Sequence, residues 1–196
     1  MSSSLSTASP VSRAPRPSED DRIGRRLLEA KLSLRGGDWV CAARLYLDVI
    51  RETPEELEAL EGLGIVALQS NRAAEALSWF ERAQRAAPDN VRILSNLGVA
   101  QGRNGLLSSA IESYRRALEL DPSDARVLVN LARSQREAQR LDEAVRTFRR
   151  ALELVPDAPE VWSMLSNVLR EKGELEAAVQ AAQTALEKNP WLGDAH

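Results

Sequence analysis

The chain has 196 residues, of which 43% are hydrophobic and 28% charged, and its formal net charge is −3. This composition is typical of a folded chain with a hydrophobic core, and it lacks the basic surplus that general nucleic-acid binding needs. Aromatic residues make up only 4% of the chain. We therefore expect a core of Ala, Leu and Val, which favours close-packed helices over strands.

The chain contains one cysteine and one histidine, and these counts limit the kinds of metal site and catalytic site that it can form. Cys41 alone cannot form an internal disulfide, and we interpret it as a small buried hydrophobe. A His/Cys metal cluster, or a Ser-His-Asp or Cys-His catalytic arrangement, would have to use His196, which is the last residue of the sequence. We therefore expect no enzymatic activity, no metal and no cofactor, although the counts leave carboxylate-only sites open.

Residues 1–22 are rich in Ser and Pro and show no apolar periodicity, which predicts a disordered tail. Arg13 and Arg16 lie among serines, as in an organellar transit peptide. Glu19, Asp20 and Asp21 follow closely, however, and favour the interpretation as a plain tail. No stretch of the sequence approaches the length and hydrophobicity of a membrane span. We therefore expect a cytoplasmic protein without a membrane partner.

From residue 23 onwards the sequence repeats with a period of 34 residues. Each repeat has an alanine, then an aromatic residue four positions later in the first four copies, then a proline. Because proline lacks the backbone N–H and clashes with the preceding helical turn, it predicts the end of a helix. The alanines are Ala42, Ala76, Ala110, Ala144 and Ala178, and the prolines are Pro54, Pro88, Pro122, Pro156 and Pro190.

The order of these columns resembles the tetratricopeptide repeat, a 34-residue helix-turn-helix unit with the pattern W-x2-L-G-x2-Y, then A-x3-F, then P. The sequence departs from it in that Trp162 alone fills the tryptophan column, and Gln101 and Gln135 are among the residues that replace the tyrosine. The resemblance implies an all-α fold, a right-handed α-solenoid of five repeats with about ten helices. The implied units are 23–56, 57–90, 91–124, 125–158 and 159–192, with 193–196 as the start of a sixth repeat or an open end.

Two further patterns have alternative interpretations. The stretch GLGIVA at 62–67 fits a dinucleotide-binding pattern, but that motif needs a preceding strand, and a predicted helix start precedes it here. We interpret its glycines as packing positions. Charges on the second helices are predicted to pair at i,i+4 spacing, as in Glu112 with Arg116 and Asp142 with Arg146. The alternative is a nucleic-acid patch, which would comprise Arg115, Arg116, Arg149 and Arg150.

In proteins with these repeats the first helices line a concave groove, so the resemblance implies a binding surface there. Asn96 and Asn130 occupy the same groove position one repeat apart and resemble the asparagine ladder of O-linked N-acetylglucosamine transferase. An amide offers a donor and an acceptor to a peptide backbone, and simple solvated polar residues are the open alternative. Arg92, Arg126 and Arg133 fall at other groove positions and are predicted to attract acidic side chains, a phosphate or a terminal carboxylate.

These observations predict a scaffold or adaptor that binds a protein or peptide segment, of acidic character, in the concave groove. Glu58 and Glu61 before the arginines, and Glu160 and Glu171 after them, are expected to make the ends of the groove acidic. The alternative is the N-terminal substrate-recruiting region of a larger enzyme such as an O-linked glycosyltransferase. We expect no nucleic-acid partner, and an uncapped C-terminal end of the array predicts self-association there.

Overall fold

A computed structural model describes residues 19–191, which form ten helices in five consecutive pairs. The helices are α1 (Glu19–Arg35), α2 (Trp39–Glu52), α3 (Leu57–Gln69), α4 (Ala73–Ala86), α5 (Val91–Arg103), α6 (Leu107–Leu120), α7 (Ala125–Glu137), α8 (Leu141–Leu154), α9 (Pro159–Lys172) and α10 (Leu175–Lys188). Each helix packs against its neighbours in the sequence, and α1, α3, α5 and α7 also contact one another in turn. The predicted all-helical solenoid of five repeats is confirmed.

The array starts earlier than the sequence pattern indicates. α1 begins at Glu19, four residues before residue 23. Asp20 and Asp21 lie in its first turn, where negative charge stabilises the N-terminal end of a helix. Residues 1–18, which make up most of the predicted tail, lie outside the described residues. So do residues 192–196, which contain the predicted start of a sixth repeat.

The turn inside each repeat contains one residue with a left-handed backbone. Glycine occupies this position in the first, third and fifth repeats, at Gly37, Gly105 and Gly173, with φ of 80°, 75° and 87°. Asn71 and Gln139 occupy it in the second and fourth repeats, with φ of 57° and 59°. Glycine alone adopts positive φ at no steric cost. The three turns with glycine can therefore be predicted from the sequence, whereas the turns at Asn71 and Gln139 are harder to predict.

In the second and third repeats, close contact between a glycine and an aromatic ring holds the two helices together. A Cβ added to Gly64 would lie 2.5 Å from the Phe80 ring, and one added to Gly98 would lie 2.6 Å from the Tyr114 ring. Both rings are almost fully buried. Only a residue without a side chain allows this approach, so the glycine and the ring form one packing unit.

The GLGIVA stretch lies inside α3, where Gly62 and Gly64 are both buried. Gly62 packs against the ring of Tyr46 from the preceding repeat. A dinucleotide site would need these glycines at a turn between a strand and a helix, so their role here is packing. The alanine column has the same role, since four of its members are fully buried: Ala42, Ala76, Ala110 and Ala144.

Hydrogen bonds replace the missing tyrosine column in two repeats. The Ser113 hydroxyl donates to Gln101 Oε1 at 2.7 Å, and the Thr147 hydroxyl donates to Gln135 Oε1 at 2.8 Å. Each bond joins the first and second helices of one repeat. Because Ser113 and Gln135 are buried, their polar groups need such partners, and the pairs connect the helices where an aromatic residue would otherwise pack.

An arginine column on the second helices connects consecutive repeats. Arg82, Arg116 and Arg150 are one repeat apart, and each donates to the carbonyl oxygen of the proline 28 residues earlier, at 3.0, 3.4 and 2.9 Å. These carbonyls lie just beyond the end of a helix, where backbone acceptors lack helical partners. Arg116 therefore contacts the preceding repeat, and its predicted pairing with Glu112 is wrong.

The same kind of contact argues against the nucleic-acid patch. Arg115 pairs with Glu143 of the next repeat at 3.0 Å, and Arg116 and Arg150 are engaged by the preceding repeats. Asp142 pairs with Lys172 at 2.6 Å rather than with the predicted Arg146. Since phosphate binding needs free cations, three of the four arginines in the supposed patch are poorly suited to it.

We predict that Gly98→Ala destabilises the fold by about 1–3 kcal/mol, because the new methyl group would overlap the Tyr114 ring. Gly102 is the matched control, since it lies one turn later in α5 and an added Cβ meets Ser134 Oγ at 3.8 Å. Gly102→Ala should stabilise the chain by about 0.5–1 kcal/mol, because alanine is the better helix former. Urea unfolding of both variants measures the difference, and equal effects would contradict the contact.

Candidate functional site

The first helices of the repeats form one continuous surface. Because α1, α3, α5 and α7 contact one another directly, while each second helix packs behind its own first helix, the first helices lie on the inner side of the array. We call this the concave surface, and we define it by the exposed faces of α1, α3, α5, α7 and α9. Three cavities of about 340, 240 and 300 Å³ follow one another along it.

The first cavity lies between α1, α3, α5 and the start of α7, next to the buried Tyr46 ring. Its lining contains four cationic side chains and two carboxylates, namely Lys31, Arg35, Arg92, Arg126, Glu58 and Glu61. The lining is therefore net positive, although the chain as a whole is net negative.

Glu61 is buried in the wall of this cavity, with 5% of its surface exposed. Its carboxylate forms an ion pair with Arg92 at 2.7 Å and accepts a hydrogen bond from the Asn96 amide at 3.0 Å. Glu61 lies on α3 and both partners lie on α5, so the contact joins the first helices of consecutive repeats. Two of the predicted groove residues, Arg92 and Asn96, are thus brought together on one carboxylate.

Burial raises the pKa of Glu61 above its usual value. The Arg92 guanidinium opposes this shift, the nearby Glu58 carboxylate adds to it, and the net pKa shift is upward. Glu58 itself pairs with Lys31 at 2.7 Å, while its Oε1 atom is buried without a hydrogen-bond partner. Burial, together with these two carboxylates, also raises the pKa of Tyr46 to about 12. Two carboxylates are therefore held close together in a poorly solvated place.

The second cavity contains the other predicted asparagine. Asn130 and Arg133 line it together with Tyr114, Arg103 and Glu137. Because Asn130 and Arg133 are three residues apart on α7, their side chains share one face of the helix. Within residues 20–191 neither side chain makes a hydrogen bond or an ion pair with another residue. This pair is therefore free to bind an external group.

The remaining predicted groove arginine is less free than Arg133. Arg126 lines the first cavity, and its guanidinium lies 3.8 Å from the carboxylate of Asp124, the cap of its own helix. Arg133 extends from the second cavity to the third, which Arg136 also lines. The hydrogen bonds from Arg136 hold Glu171 and lower the pKa of its carboxyl group. Of the three arginines on α7, Arg133 is thus the one without a partner among the described residues, while Arg126 and Arg136 are engaged.

The role of Glu61 as a buried partner was not evident from the sequence. The signal that identifies it is a spacing of one repeat plus one residue, because Glu61 and Asn96 are 35 residues apart and so are Arg136 and Glu171. Side chains at this spacing meet across neighbouring first helices. A search for complementary pairs 35 residues apart would have found both contacts.

Among residues 20–191 no group of three or more His, Cys, Asp or Glu side chains is arranged to hold a metal ion. The helices in this part of the chain also lack the length and hydrophobicity needed to cross a membrane. The expected absence of a cofactor and the cytoplasmic location stay predictions.

We predict that Glu61→Gln and Glu171→Gln change the pH dependence of stability in opposite directions. Folding raises the pKa of the Glu61 carboxyl group. The stability that this group contributes is therefore fully present below its unfolded pKa of about 4.3, and it is lost as pH rises through the folded pKa. Glu61→Gln should therefore be neutral in acid and more stable than wild type at neutral pH.

Glu171 is the matched control, because its pKa is lowered by folding. The stability that the Glu171 carboxylate contributes is present above its unfolded pKa and is lost as pH falls through its folded pKa. Glu171→Gln should lower stability slightly at neutral pH, since the pair with Arg136 is largely solvated, and should have no effect in acid. Thermal unfolding from acid to neutral pH measures the stability of both variants. If both variants were stabilised, or both destabilised, at neutral pH, the raised pKa of Glu61 would be contradicted.

Family profiles described as tetratricopeptide repeat match residues 27–91, 103–168 and 159–190 of the chain. One curated relative, the cellulose synthase 2 operon protein C of Komagataeibacter xylinus, is 42% identical over 60 residues. These residues are 31% of this chain and 5% of that protein. The chain thus matches a small part of this relative's length.

Solved structures of repeat proteins have the same fold. MamA from Desulfovibrio magneticus RS-1 superposes with a TM-score of 0.81 at 17% identity, over 88% of this chain and 97% of that one. YrrB, described as a TPR protein with an unusual peptide-binding site, superposes with a TM-score of 0.74 at 21% identity, over 88% and 90%. At these identities the likeness shows the fold alone. The profile matches and the five helix pairs together show that the chain belongs to the tetratricopeptide repeat family.

Proposed function

We propose that the chain is a protein-interaction scaffold whose concave surface binds an extended, acidic segment of another protein. Membership of the tetratricopeptide repeat family supports the scaffold role, and the likeness in fold to YrrB, with its peptide-binding site, supports the choice of a peptide as ligand. The observation that carries the proposal is the free pair of Asn130 and Arg133 at the second cavity.

Asn130 and Arg133 offer complementary chemistry to such a segment. The Asn130 amide has both donors and an acceptor, so it can pair with a peptide group whatever its side chain is. The Arg133 guanidinium can bind a carboxylate or phosphate through two parallel hydrogen bonds. Because the two side chains share one face of α7, a single extended segment can meet both.

The charge along the concave surface favours an acidic ligand. The first cavity has four cationic side chains against two carboxylates, and the second has Arg103 and Arg133 against Glu137. Arginine stays charged at any pH at which the protein is folded. A surplus of positive charge at a concave surface draws in anionic groups and speeds their binding.

The two asparagines are not equivalent in this proposal. A ligand that binds at Asn96 and Arg92 must compete with Glu61, which already occupies both. Separating Glu61 from these partners would leave a buried charge uncompensated, and this is strongly destabilising. We therefore assign the main contacts to Asn130 and Arg133, and we assign Asn96 and Arg92 to the rigid wall beside them.

The alternative function, recruitment of substrates to a larger enzyme, would use the same surface. It differs from the scaffold in that the bound protein would also meet the catalytic part of the enzyme. Both functions require a ligand segment at Asn130 and Arg133. The scaffold is the simpler proposal, because it needs only the residues that the array contains.

We predict that Arg133→Ala weakens binding of an acidic peptide by about 1.5–3 kcal/mol, or roughly 10- to 150-fold, because a charged hydrogen bond is lost. Asn130→Ala removes a neutral hydrogen bond and should cost about 0.5–1.5 kcal/mol. The peptides are selected from a random library on the immobilised wild-type protein and then titrated against each variant. Enrichment of Asp and Glu among them is the first expected result.

Arg149→Ala is the matched control, because Arg149 is an exposed arginine on the second helix α8 and carries the same charge. It should leave peptide affinity within about twofold of wild type, since screening weakens the effect of a distant charge. Thermal unfolding separates the two asparagines, because Asn96→Ala should lower the melting temperature and Asn130→Ala should not. Wild-type affinity in the Asn130 and Arg133 variants would refute the proposal.

A further inference from the structure

Another cavity, of about 350 Å³, lies between the second helix α2 and the turn that joins α3 to α4. We call it the α2 cavity. Its apolar part consists of four side chains of α2, namely Trp39, Val40, Ala43 and Leu47. Trp39 and Val40 lie one turn before Ala43, which lies one turn before Leu47, so the four share one side of the helix. Clefts of this size with a mainly apolar lining are typical ligand sites.

The small side chain of Ala43 opens this cavity. The next three repeats have a larger residue at the same position, namely Leu77, Ile111 and Val145. Ile111 and Val145 are buried in the core, and Leu77 is partly buried against it. The space that these side chains fill in the other repeats therefore stays accessible beside α2. The second repeat shows that a leucine side chain suits this position.

Two large apolar side chains beside this space are exposed in the first repeat. Val40 is 83% exposed and Leu47 is 37% exposed. The other four repeats have alanine or a polar residue at the position of Val40, and a polar residue at the position of Leu47; the fourth repeat, for example, has Asp142 and Arg149. The repeat therefore folds without apolar side chains at these positions. Their presence here is typical of a surface that binds another molecule.

The rim of the α2 cavity is basic. Three arginines line it against a single carboxylate, that of Asp48. Two of these arginines are paired at 2.7 Å, Arg51 with Asp48 and Arg72 with Glu75. The third is Arg44, whose guanidinium has only a cysteine sulfur as hydrogen-bond partner among the described residues, at 3.9 Å. An unpaired guanidinium beside an apolar wall favours a ligand with a carboxylate next to an apolar group.

We infer that the α2 cavity binds a short segment of another protein in which a leucine side chain is flanked by acidic residues. The leucine takes the space beside Ala43 and packs against Leu47. An acidic neighbour in the segment pairs with Arg44. Burial of the apolar side chain supplies most of the affinity, and the charge pair fixes the register and speeds association.

The chain's own residues 1–18 are a poor occupant of this cavity. They contain Arg13 and Arg16 and no acidic residue, so their charge has the same sign as the rim, and like charges across an interface cost free energy. The cavity also differs from an open end of the array. The helices of both repeats that border it, α1 to α4, are all described, and α1 and α3 already pack on α2.

Twofold pairing of two copies through this cavity is disfavoured by the same charges. A twofold axis would place the two basic rims against each other and bring two Arg44 side chains close together. This repulsion has no compensating carboxylate, because Asp48 is already paired within its own helix. The occupant that suits the cavity is therefore a segment of another protein with the opposite charge.

The α2 cavity shares no residue with the three cavities of the concave surface. The inference does not depend on the proposed function. Backbone amide signals in NMR spectra distinguish the two sites, because Ala43 and Leu47 report on the α2 cavity while Asn130 and Arg133 report on the concave surface.

The test uses the isotope-labelled full chain and a synthetic peptide with blocked ends, in which one leucine lies between two pairs of glutamates. Titration should shift the amide signals of Ala43 and Leu47 in a saturable manner. A second peptide has alanine in place of the leucine and keeps the same charge. It should bind the α2 cavity at least about tenfold more weakly, because the buried leucine side chain is lost.

Two substitutions alter the apolar part of the cavity with residues that other repeats already have. Ala43→Leu fills the cavity and should weaken binding of the leucine peptide at least about tenfold, as measured at the Leu47 amide. Its melting temperature should not fall, because the second repeat has leucine at this position. Leu47→Gln introduces the residue of the fifth repeat and should weaken binding at least about threefold, as measured at the Ala43 amide.

Arg44→Glu tests the charge of the rim. It should weaken binding of the leucine peptide at least about threefold, because it replaces attraction for the glutamates with repulsion. Arg146→Glu is the matched control, since Arg146 is exposed and occupies the same repeat position on α8. It changes the net charge equally but at a distant place, so screening should leave the affinity at the α2 cavity unchanged.

Four results would overturn the inference. The first is no saturable shift at Ala43 and Leu47, even if Asn130 and Arg133 respond. The second is equal affinity for the leucine and alanine peptides, or equal affinity of the wild type and Ala43→Leu. The third, from sedimentation velocity, is a wild-type dimer that dissociates in Ala43→Leu, because the occupant would then be a second copy. The fourth is a shift of both amides, without peptide, in the double variant Leu5→Ser and Val11→Ser, because the chain's own residues 1–18 would then be the occupant.

Discussion

Contact between a glycine on the first helix and an aromatic ring on the second sets how closely the two helices approach in the second and third repeats. At Gly64 and Gly98 the neighbouring ring lies directly on the backbone. The Tyr114 ring also shapes the concave surface, because it lines the second cavity. Protein interiors are packed too densely to absorb an added methyl group without movement. In the third repeat the contact between Gly98 and Tyr114 therefore also determines the depth of the cavity beside it.

Polar side chains divide this surface into an engaged part and a free part. In the first part the buried Glu61 carboxylate holds Arg92 and Asn96, so the donors that a ligand would use are already occupied. One repeat further along, Asn130 and Arg133 have no such partner among the described residues. This difference between the two parts arises from a single buried acid on α3.

The period of 34 residues was sufficient to predict the ten helices, the ends of the second helices shortly before the prolines, and the buried alanines. Single positions were harder to predict, because their neighbours come from other repeats. Gln139 adopts a left-handed turn that its residue type does not suggest. The partner of Glu61 is 35 residues away, so a pattern read within one repeat does not reveal it. The groove positions of Asn96 and Asn130 were predictable, whereas the difference in their availability depended on a contact between repeats.

The two side chains proposed to bind the ligand would rely on different physical forces. The contact proposed at Arg133 would be mainly electrostatic and would weaken as salt screens the charge. The contact proposed at Asn130 would be a hydrogen bond between neutral groups, which salt screens much less. A segment bound at both side chains would therefore keep part of its affinity at high salt, because screening removes only the charged part of the interaction.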